Sequence, residues 1–206
     1  MKRALVVFAA AFAFVLLGLA GCASMDGGPG WVTLIDGEKG LENFNRIGDA
    51  NWRAEGGAIV ADRAKQTSHL VTRNSYRDFQ LRAEFWAENN TNSGIFIRAQ
   101  DPKQITAKNS YEVNIYDARE AGLDYGTGGI PNFAKVEPPY PKAAGRWNTY
   151  LITAKGGHIT AELNGRQTAV ITDAKYLSGP FTLQFGNHGK LPGGAIKWRK
   201  VQIREL

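Results

Sequence analysis

The sequence FQLRAEFW, residues 79–86, alternates between two kinds of side chain. Phe79, Leu81, Ala83 and Phe85 fall on one side of an extended chain, and the residues between them fall on the other. Successive side chains of a β-strand point to opposite faces, so this pattern predicts a strand with one buried face.

Similar alternation recurs in residues 94–98, 111–116 and 181–185. Asn164-Gly165 is a strong hairpin signal, because both residues tolerate the positive φ of a type I′ turn. After residue 30, no segment keeps the apolar stripe of an amphipathic helix over three turns. The sequence therefore predicts an all-β fold, a two-sheet antiparallel sandwich or jelly roll.

The N-terminal residues have the pattern of a secretory signal. Lys2 and Arg3 precede an apolar segment, residues 4–20, that contains no charge. A segment of about seventeen apolar residues could also form an uncleaved membrane anchor. However, LAGC at residues 19–22 resembles the bacterial lipoprotein signal, in which cleavage precedes a cysteine that then carries a lipid. An ordinary signal peptide with an incidental cysteine is the alternative.

We therefore expect three parts: a lipoprotein signal peptide at 1–21, the lipidated Cys22 with a flexible tether at 22–30, and one domain at 31–206. Ala23 follows the cysteine where an aspartate would favour the inner membrane. By resemblance to the lipoprotein sorting rule, this predicts an exported protein held in the bacterial envelope, with the outer membrane favoured. Without Lys2 and Arg3 the net charge falls from +6 to +4 and no basic block is left, so nucleic acid is not an expected partner.

The polar sides of the predicted strands suggest a carbohydrate site. They carry aromatic rings, carboxylates, guanidinium groups and amides, which suit stacking on sugar rings and paired hydrogen bonds to hydroxyls. The alternative is a ladder of cross-strand ion pairs on an ordinary exposed sheet, for example between Glu84 and Arg98. The set is Arg82, Glu84, Trp86, Phe96, Arg98, Glu112, Asn114, Tyr116, Thr182 and Gln184.

Among the three histidines, His188 is the best placed for proton transfer, since it follows a predicted strand and imidazole titrates near neutrality. A structural loop histidine is the alternative. His69 and His158 have the sequence context of ordinary strand-face residues. The sequence contains no zinc-type cluster of histidine and cysteine, so no cofactor is predicted; a divalent metal is not indicated.

Short motifs follow one another from residue 31 to residue 206. They are TLIDG (33–37), Trp52 with Gly56-Gly57, LVT (70–72), YRDF (76–79), NSGIFIR (92–98), YEVNIYD (111–117), GRWNTY (145–150), LNG (163–165), LQ (183–184) and VQIREL (201–206). In this order and spacing they resemble the 3-keto-disaccharide hydrolase domain family. The resemblance implies a concanavalin A-like lectin/glucanase jelly roll with a sugar site on its concave sheet. Two positions depart from the family: Asn114 replaces a glutamine, and Pro131 follows Ile130 where a tyrosine is usual.

The resemblance also implies cleavage of the glycosidic bond of a 3-keto-glycoside. A ketone at C3 acidifies the hydrogen on C2, so the bond can break by elimination, and water then adds. This chemistry needs a base, a stabiliser for the enolate and an acid for the leaving oxygen. We expect Glu112 or Glu84 as the base, Arg98 or a metal as the stabiliser, and His188 as the acid.

Substrate-binding residues are expected among the remaining polar groups of the same strands. They are Asn114, Tyr116, Trp86, Gln184 and Asp117. Two alternatives stay open. One is an ordinary glycosidase with two carboxyl groups flanking the bond. The other is a non-catalytic lectin-like protein, because this fold serves both binding and catalysis.

Overall fold

The computed structural model describes residues 28–117, 126–186 and 194–206 of the chain. In these segments nearly all regular structure is β, apart from a short 3-10 helix at Leu41–Asn43. The strands are β1 (Val32–Asp36), β2 (Phe44–Ile47), β3 (Arg53–Glu55), β4 (Ala58–Ala61), β5 (Ser68–Thr72), β6 (Phe79–Ala87), β7 (Asn92–Ile97), β8 (Tyr111–Tyr116), β9 (Trp147–Lys155), β10 (His158–Leu163), β11 (Arg166–Thr172), β12 (Thr182–Phe185) and β13 (Ile196–Glu205).

The strands form two antiparallel sheets. The eight-stranded sheet has the order β11-β10-β9-β6-β13-β4-β3, and β1 also pairs with β13. The five-stranded sheet has the order β2-β5-β12-β7-β8. The predicted two-sheet jelly-roll sandwich is therefore confirmed. The predicted signal peptide and Cys22 lie outside the described residues, in which no helix is long and apolar enough to cross a membrane.

Strand β6, which contains FQLRAEFW, lies in the middle of the eight-stranded sheet. It pairs with β9 on one side and with β13 on the other along almost its whole length. Phe79, Leu81, Ala83 and Phe85 are fully buried between the sheets, as the alternation predicts. Each such large apolar side chain contributes about 1.5–3 kcal/mol when it is fully buried.

The two sheets pack through their apolar sides, so their polar sides point away from each other. Strand β6 belongs to one sheet, whereas β7, β8 and β12 belong to the other. The expectation that Glu84 shares a face with Glu112 and Asn114 is therefore wrong. Alternation along a strand indicates which side is buried, but it does not indicate to which sheet the strand belongs.

Arg98, just after β7, is also displaced from the predicted face. Its φ of 54° interrupts the alternation of the strand, and its side chain is fully buried at one end of the sandwich. The guanidinium donates hydrogen bonds to three backbone carbonyls and lies 3.3 Å from a carboxylate. The acceptors are Arg77 O (3.0 Å from Nε), Gly156 O (2.7 Å), Tyr176 O (3.2 Å) and Asp78 Oδ1. Arg98 thus ties together segments from both sheets.

Replacing Arg98 by methionine should lower the free energy of unfolding by about 3–5 kcal/mol, because the carbonyls and Asp78 would lose their buried donor. Urea denaturation of the wild type and the variant measures this difference. Arg63→Met, at an exposed position, is the control and should change stability by less than about 0.5 kcal/mol. Equal stability of the two variants would contradict the structural role of Arg98.

Candidate functional site

The outward side of the five-stranded sheet carries a cluster of polar and aromatic side chains, which we call the candidate face. Each of its members lies at a position that alternates with core residues such as Ile95, Val113 and Leu183. Its members are His69 from β5, Thr182 and Gln184 from β12, Gly94 and Phe96 from β7, and Glu112, Asn114 and Tyr116 from β8.

Strand register places four of these residues in one row across the sheet. His69 pairs with Gln184, and Gly94 pairs with Asn114. Because Leu183 pairs with Ile95, Gln184 lies opposite Gly94 and joins the two pairs. The row therefore runs His69, Gln184, Gly94, Asn114, and residues distant in the sequence become neighbours.

Gly94 leaves a gap in this row, and the Glu112 side chain fills it. A Cβ atom at Gly94 would lie 2.9 Å from Glu112 Oε1 and 3.2 Å from its Cγ. Any larger residue at position 94 would thus displace the carboxyl group. The glycine is needed here for space: it lets Glu112, which pairs with Phe96, lean over the strand toward Gln184 and Asn114.

Glu112 is only 8% exposed. Among the described residues, none donates a hydrogen bond to its carboxylate or forms an ion pair with it. Burial without compensation disfavours the charged form and raises the pKa of Glu112 to about 8. A carboxyl group with this pKa exchanges a proton close to neutral pH, which suits acid–base catalysis.

Gln184 offers a second uncompensated polar atom. The residue is 8% exposed, and its buried Oε1 has no hydrogen-bond partner among the described residues. A buried acceptor without a donor costs stability unless a ligand or water supplies one. A ligand hydroxyl that reached Gln184 Oε1 would supply the missing donor.

His69 completes the row and was missed by the sequence analysis. Its Nδ1 lies 3.0 Å from Thr182 Oγ1, and its ring meets Phe96 edge-on at 5.2 Å. Burial lowers the pKa of His69 to about 4, so the imidazole is neutral at pH 7. The available signal was the alternation in SHLVT, residues 68–72, which places His69 on the side opposite the core residue Leu70.

Residues after β8 close the edge of the sheet next to the candidate face. Asn114 N donates to Gly129 O (3.0 Å), and Gly128 N donates to Asn114 O (2.9 Å). The Asp117 carboxylate holds this segment, accepting the Thr127 hydroxyl at 2.5 Å and the N–H groups of residues 143 and 144. Asp117 was expected to contact substrate, but its buried carboxylate instead binds the segments around residues 127 and 143–144.

The other predicted residues lie elsewhere. Glu84 forms an ion pair with Arg199 (2.5 Å) on the outward side of the eight-stranded sheet, and Trp86 lies on that same side beneath Lys197. His188 lies outside the described residues, and its predicted role stays a prediction, as does the absence of a cofactor. In the described part of the chain, Glu112 is the one expected catalytic residue that lies on the candidate face.

A cavity of about 590 Å³ lies on the same outward side, toward β2 and β5. Its lining includes Asn45, Ile47 and Val71. Asn45 and Val71 lie in the row of the sheet that ends at Glu112, and Ile47 pairs with His69. Lys103 and Gln100 form part of its opposite wall. Its volume lies in the range of small-ligand sites, so the polar face continues into a concave region.

Comparison with known families and structures identifies the domain. The family described as 3-keto-alpha-glucoside-1,2-lyase-like domain matches residues 30–204. The chain belongs to this family. Among curated protein sequences, no significant match was found. The expected family and fold class are confirmed. The domain is therefore of a carbohydrate-active type.

Solved structures with this fold include a "putative glycosyl hydrolase" from Parabacteroides distasonis, with 25% identity and a TM-score of 0.67 over 85% of this chain and 99% of that chain. The carbohydrate binding module CBM66 from Bacillus subtilis has 16% identity and a TM-score of 0.55 over 85% and 96%. A Bacillus subtilis protein with a galectin-like fold has 10% identity and a TM-score of 0.60 over 84% and 93%. The last two show the fold alone.

The buried Glu112 should make the domain less stable at alkaline pH. Its ordinary pKa is 4.5 and its folded pKa is about 8, so the folded chain keeps a proton that the unfolded chain has released. The free energy of unfolding therefore falls as the pH rises through this range. Glu112→Gln removes the effect, and urea denaturation should show the variant more stable than the wild type by about 2–4 kcal/mol at pH 8.

The difference should vanish below about pH 4, where Glu112 is protonated in both the folded and the unfolded chain. The lowered pKa of His69 makes the free energy of unfolding rise with pH up to about 6.5. This effect is the same in the wild type and in Glu112→Gln, so it cancels in their difference. Glu84→Gln is the matched control on the opposite sheet and should change stability by less than about 1 kcal/mol at either pH. A Glu112→Gln variant that is less stable than the wild type at pH 8 would contradict the uncompensated burial.

Proposed function

We propose that this domain cleaves the glycosidic bond of 3-keto-glycosides on the candidate face, with Glu112 as the acid–base residue. The observation that carries the proposal is the Glu112 carboxyl group, buried in the gap over Gly94 with no described protein partner. Membership of the 3-keto-alpha-glucoside-1,2-lyase-like family supports the choice of substrate class.

The proposed reaction begins with ionised Glu112 removing the proton from C2 of the 3-keto sugar. The electron pair of the C2–H bond forms the enolate, whose negative charge lies on the C3 oxygen. The glycosidic oxygen on C1 is then expelled, which forms the C1=C2 double bond and restores the ketone at C3. The leaving alkoxide takes a proton, and protonated Glu112 can supply it. Addition of water, with hydroxyl to C1 and a proton to C2, completes a net hydrolysis.

Neighbours of Glu112 would position the sugar. Gln184 Oε1 would accept a hydrogen bond from a hydroxyl that reaches it. Phe96, which is 3% exposed, packs edge-on against His69 and supports that ring from the side. The enolate needs a hydrogen-bond donor, and the neutral His69 imidazole is the group we propose for this task. Arg98 cannot serve, because its guanidinium binds backbone carbonyls at the end of the sandwich.

A lectin-like binding protein is the second candidate function. The similarity in fold to a carbohydrate binding module favours it. A lectin needs stacking and hydrogen bonds, but it gains nothing from a carboxyl group whose pKa burial has raised to about 8. We therefore favour the enzyme. We also propose that it works outside the cytoplasm, held in the envelope by a lipid on Cys22.

Removal of the Glu112 carboxyl group should largely abolish cleavage of a 3-keto-glucoside, whereas removal of the Glu84 carboxyl group should not. The full chain is incubated with a 3-keto-glucoside and, in parallel, with its unoxidised parent, and release of the aglycone is measured. Turnover is expected for the ketone alone, and Glu112→Gln should lower kcat by about 10²–10⁴-fold. Glu84→Gln on the other sheet should retain wild-type activity. Binding of both sugars without turnover of either would establish the lectin instead.

The pH dependence should identify the proton that matters. If Glu112 acts as the base, kcat/KM rises about tenfold per pH unit below its pKa of about 8 and levels off above it. Initial rates at low substrate concentration between pH 5 and 9.5 measure this profile. A rate that falls with pH through this range would mean that protonated Glu112 is required at the start, as in a general acid.

A further inference from the structure

The outward side of the eight-stranded sheet, opposite the candidate face, carries three tryptophans, each stacked with a cation. Trp31 contacts the guanidinium of Arg82 at 4.7 Å and that of Arg204 at 5.0 Å. Trp86 lies under Lys197 Nζ at 4.6 Å, and Trp147 lies under Arg199 at 4.3 Å. We call this surface the tryptophan face.

The distribution of tryptophan over the molecule is uneven. Of the five tryptophans in the chain, Trp52 and Trp198 are buried in the core, with 4% and 0% exposure. The other three are half-buried, and all lie on the tryptophan face. Cations cover faces of their rings, and a covered ring face is closed to stacking by a sugar. Sugar binding therefore does not explain this cluster.

The centre of the tryptophan face, on β6 and β13, is basic, although Asp36 of β1 lies opposite Lys200. The outward positions of the central strands β6 and β13 hold five cations and one carboxylate, Glu84. The cations are Arg82, Lys197, Arg199, Lys200 and Arg204. A surface that combines tryptophan with excess lysine and arginine matches a membrane interface, where indole rings sit at the headgroup level and anionic lipids attract basic groups.

The chain enters the domain at this face. Trp31, which stacks on Arg82 and Arg204, immediately precedes β1. Cys22, the expected lipidation site, is nine residues before Trp31, a distance of at most about 30 Å in a fully extended chain. A lipid at Cys22 would therefore keep the tryptophan face within about 30 Å of the bilayer, and the charge of the face favours its approach.

We propose that the tryptophan face docks on the anionic lipid surface of the membrane that holds the chain. Because the outward sides of two packed sheets point in opposite directions, docking turns the Glu112 face toward the solvent. The orientation would keep the sugar site open to soluble substrates. This proposal does not rest on the proposed cleavage reaction.

Quenching of tryptophan fluorescence by brominated phosphatidylcholine tests the docking. The mature chain, which begins at Cys22 and is used without its lipid, is added to vesicles of phosphatidylcholine alone, or of phosphatidylcholine mixed with phosphatidylglycerol, each with the brominated lipid. We expect strong quenching in the anionic vesicles only, and its loss at 1 M salt, where the Debye length is about 3 Å. Replacing Arg82, Lys197 and Arg204 by glutamine should lower the docking equilibrium constant about a hundredfold, at about fivefold per cation.

A matched variant distinguishes the effect of cations on the tryptophan face from the effect of the net charge of the protein. Replacing Arg63, Arg73 and Lys103 by glutamine also removes two arginines and one lysine, at exposed positions outside the tryptophan face, and should leave docking unchanged. Unfolding midpoints of both variants verify that they fold. Equal quenching in neutral and anionic vesicles, no quenching in either, or equal loss in the two variants would overturn the proposal.

Discussion

Burial of one side of every central strand between the two sheets is the constraint on which the rest of this molecule depends. It places Phe79, Leu81 and Phe85 of one sheet against Ile95, Val113 and Leu183 of the other. Hydrophobic burial of this kind is the main favourable contribution that offsets the entropy of ordering the chain. It also leaves two polar surfaces that face opposite directions, so the molecule can carry two separate activities on one core.

The candidate face is built at a cost in stability. Glu112 and Gln184 are buried polar groups without protein partners among the described residues, and each is less stable there than it would be in water. Natural proteins retain such groups where function requires them, and the surrounding sheet supplies the stability. The rigid rows of a five-stranded sheet fix the relative positions of these groups more precisely than loops could.

Buried polar groups in this domain fall into two classes. Arg98 and Asp117 are satisfied by several backbone groups each, and they hold together segments from distant parts of the chain. Among the described residues, the Glu112 carboxylate and Gln184 Oε1 accept no hydrogen bond. Satisfied groups stabilise the scaffold. Buried atoms without a partner also occur away from the candidate face, as at Trp52 Nε1 and Trp198 Nε1 in the core. It is therefore its position beside Glu112 on the outward side that makes Gln184 Oε1 a candidate ligand contact. The distinction, which depends on hydrogen-bond partners, explains why residue type alone is a weak guide to the site.

The sequence by itself determined the strands at residues 79–86, 94–97, 111–116 and 181–185, the buried side of each of these and the outward position of Glu112, Asn114 and Gln184, because alternation is a local property of the extended chain. Only the tertiary structure decided which strands share a sheet. Pairing between strands far apart in sequence leaves no local pattern, so Glu84 could not be separated from Glu112, nor His69 joined to Gln184, by reading the chain. Arg98 was misplaced for a related reason: one residue with positive φ, set by the packing at the end of the sandwich, turns its side chain inward.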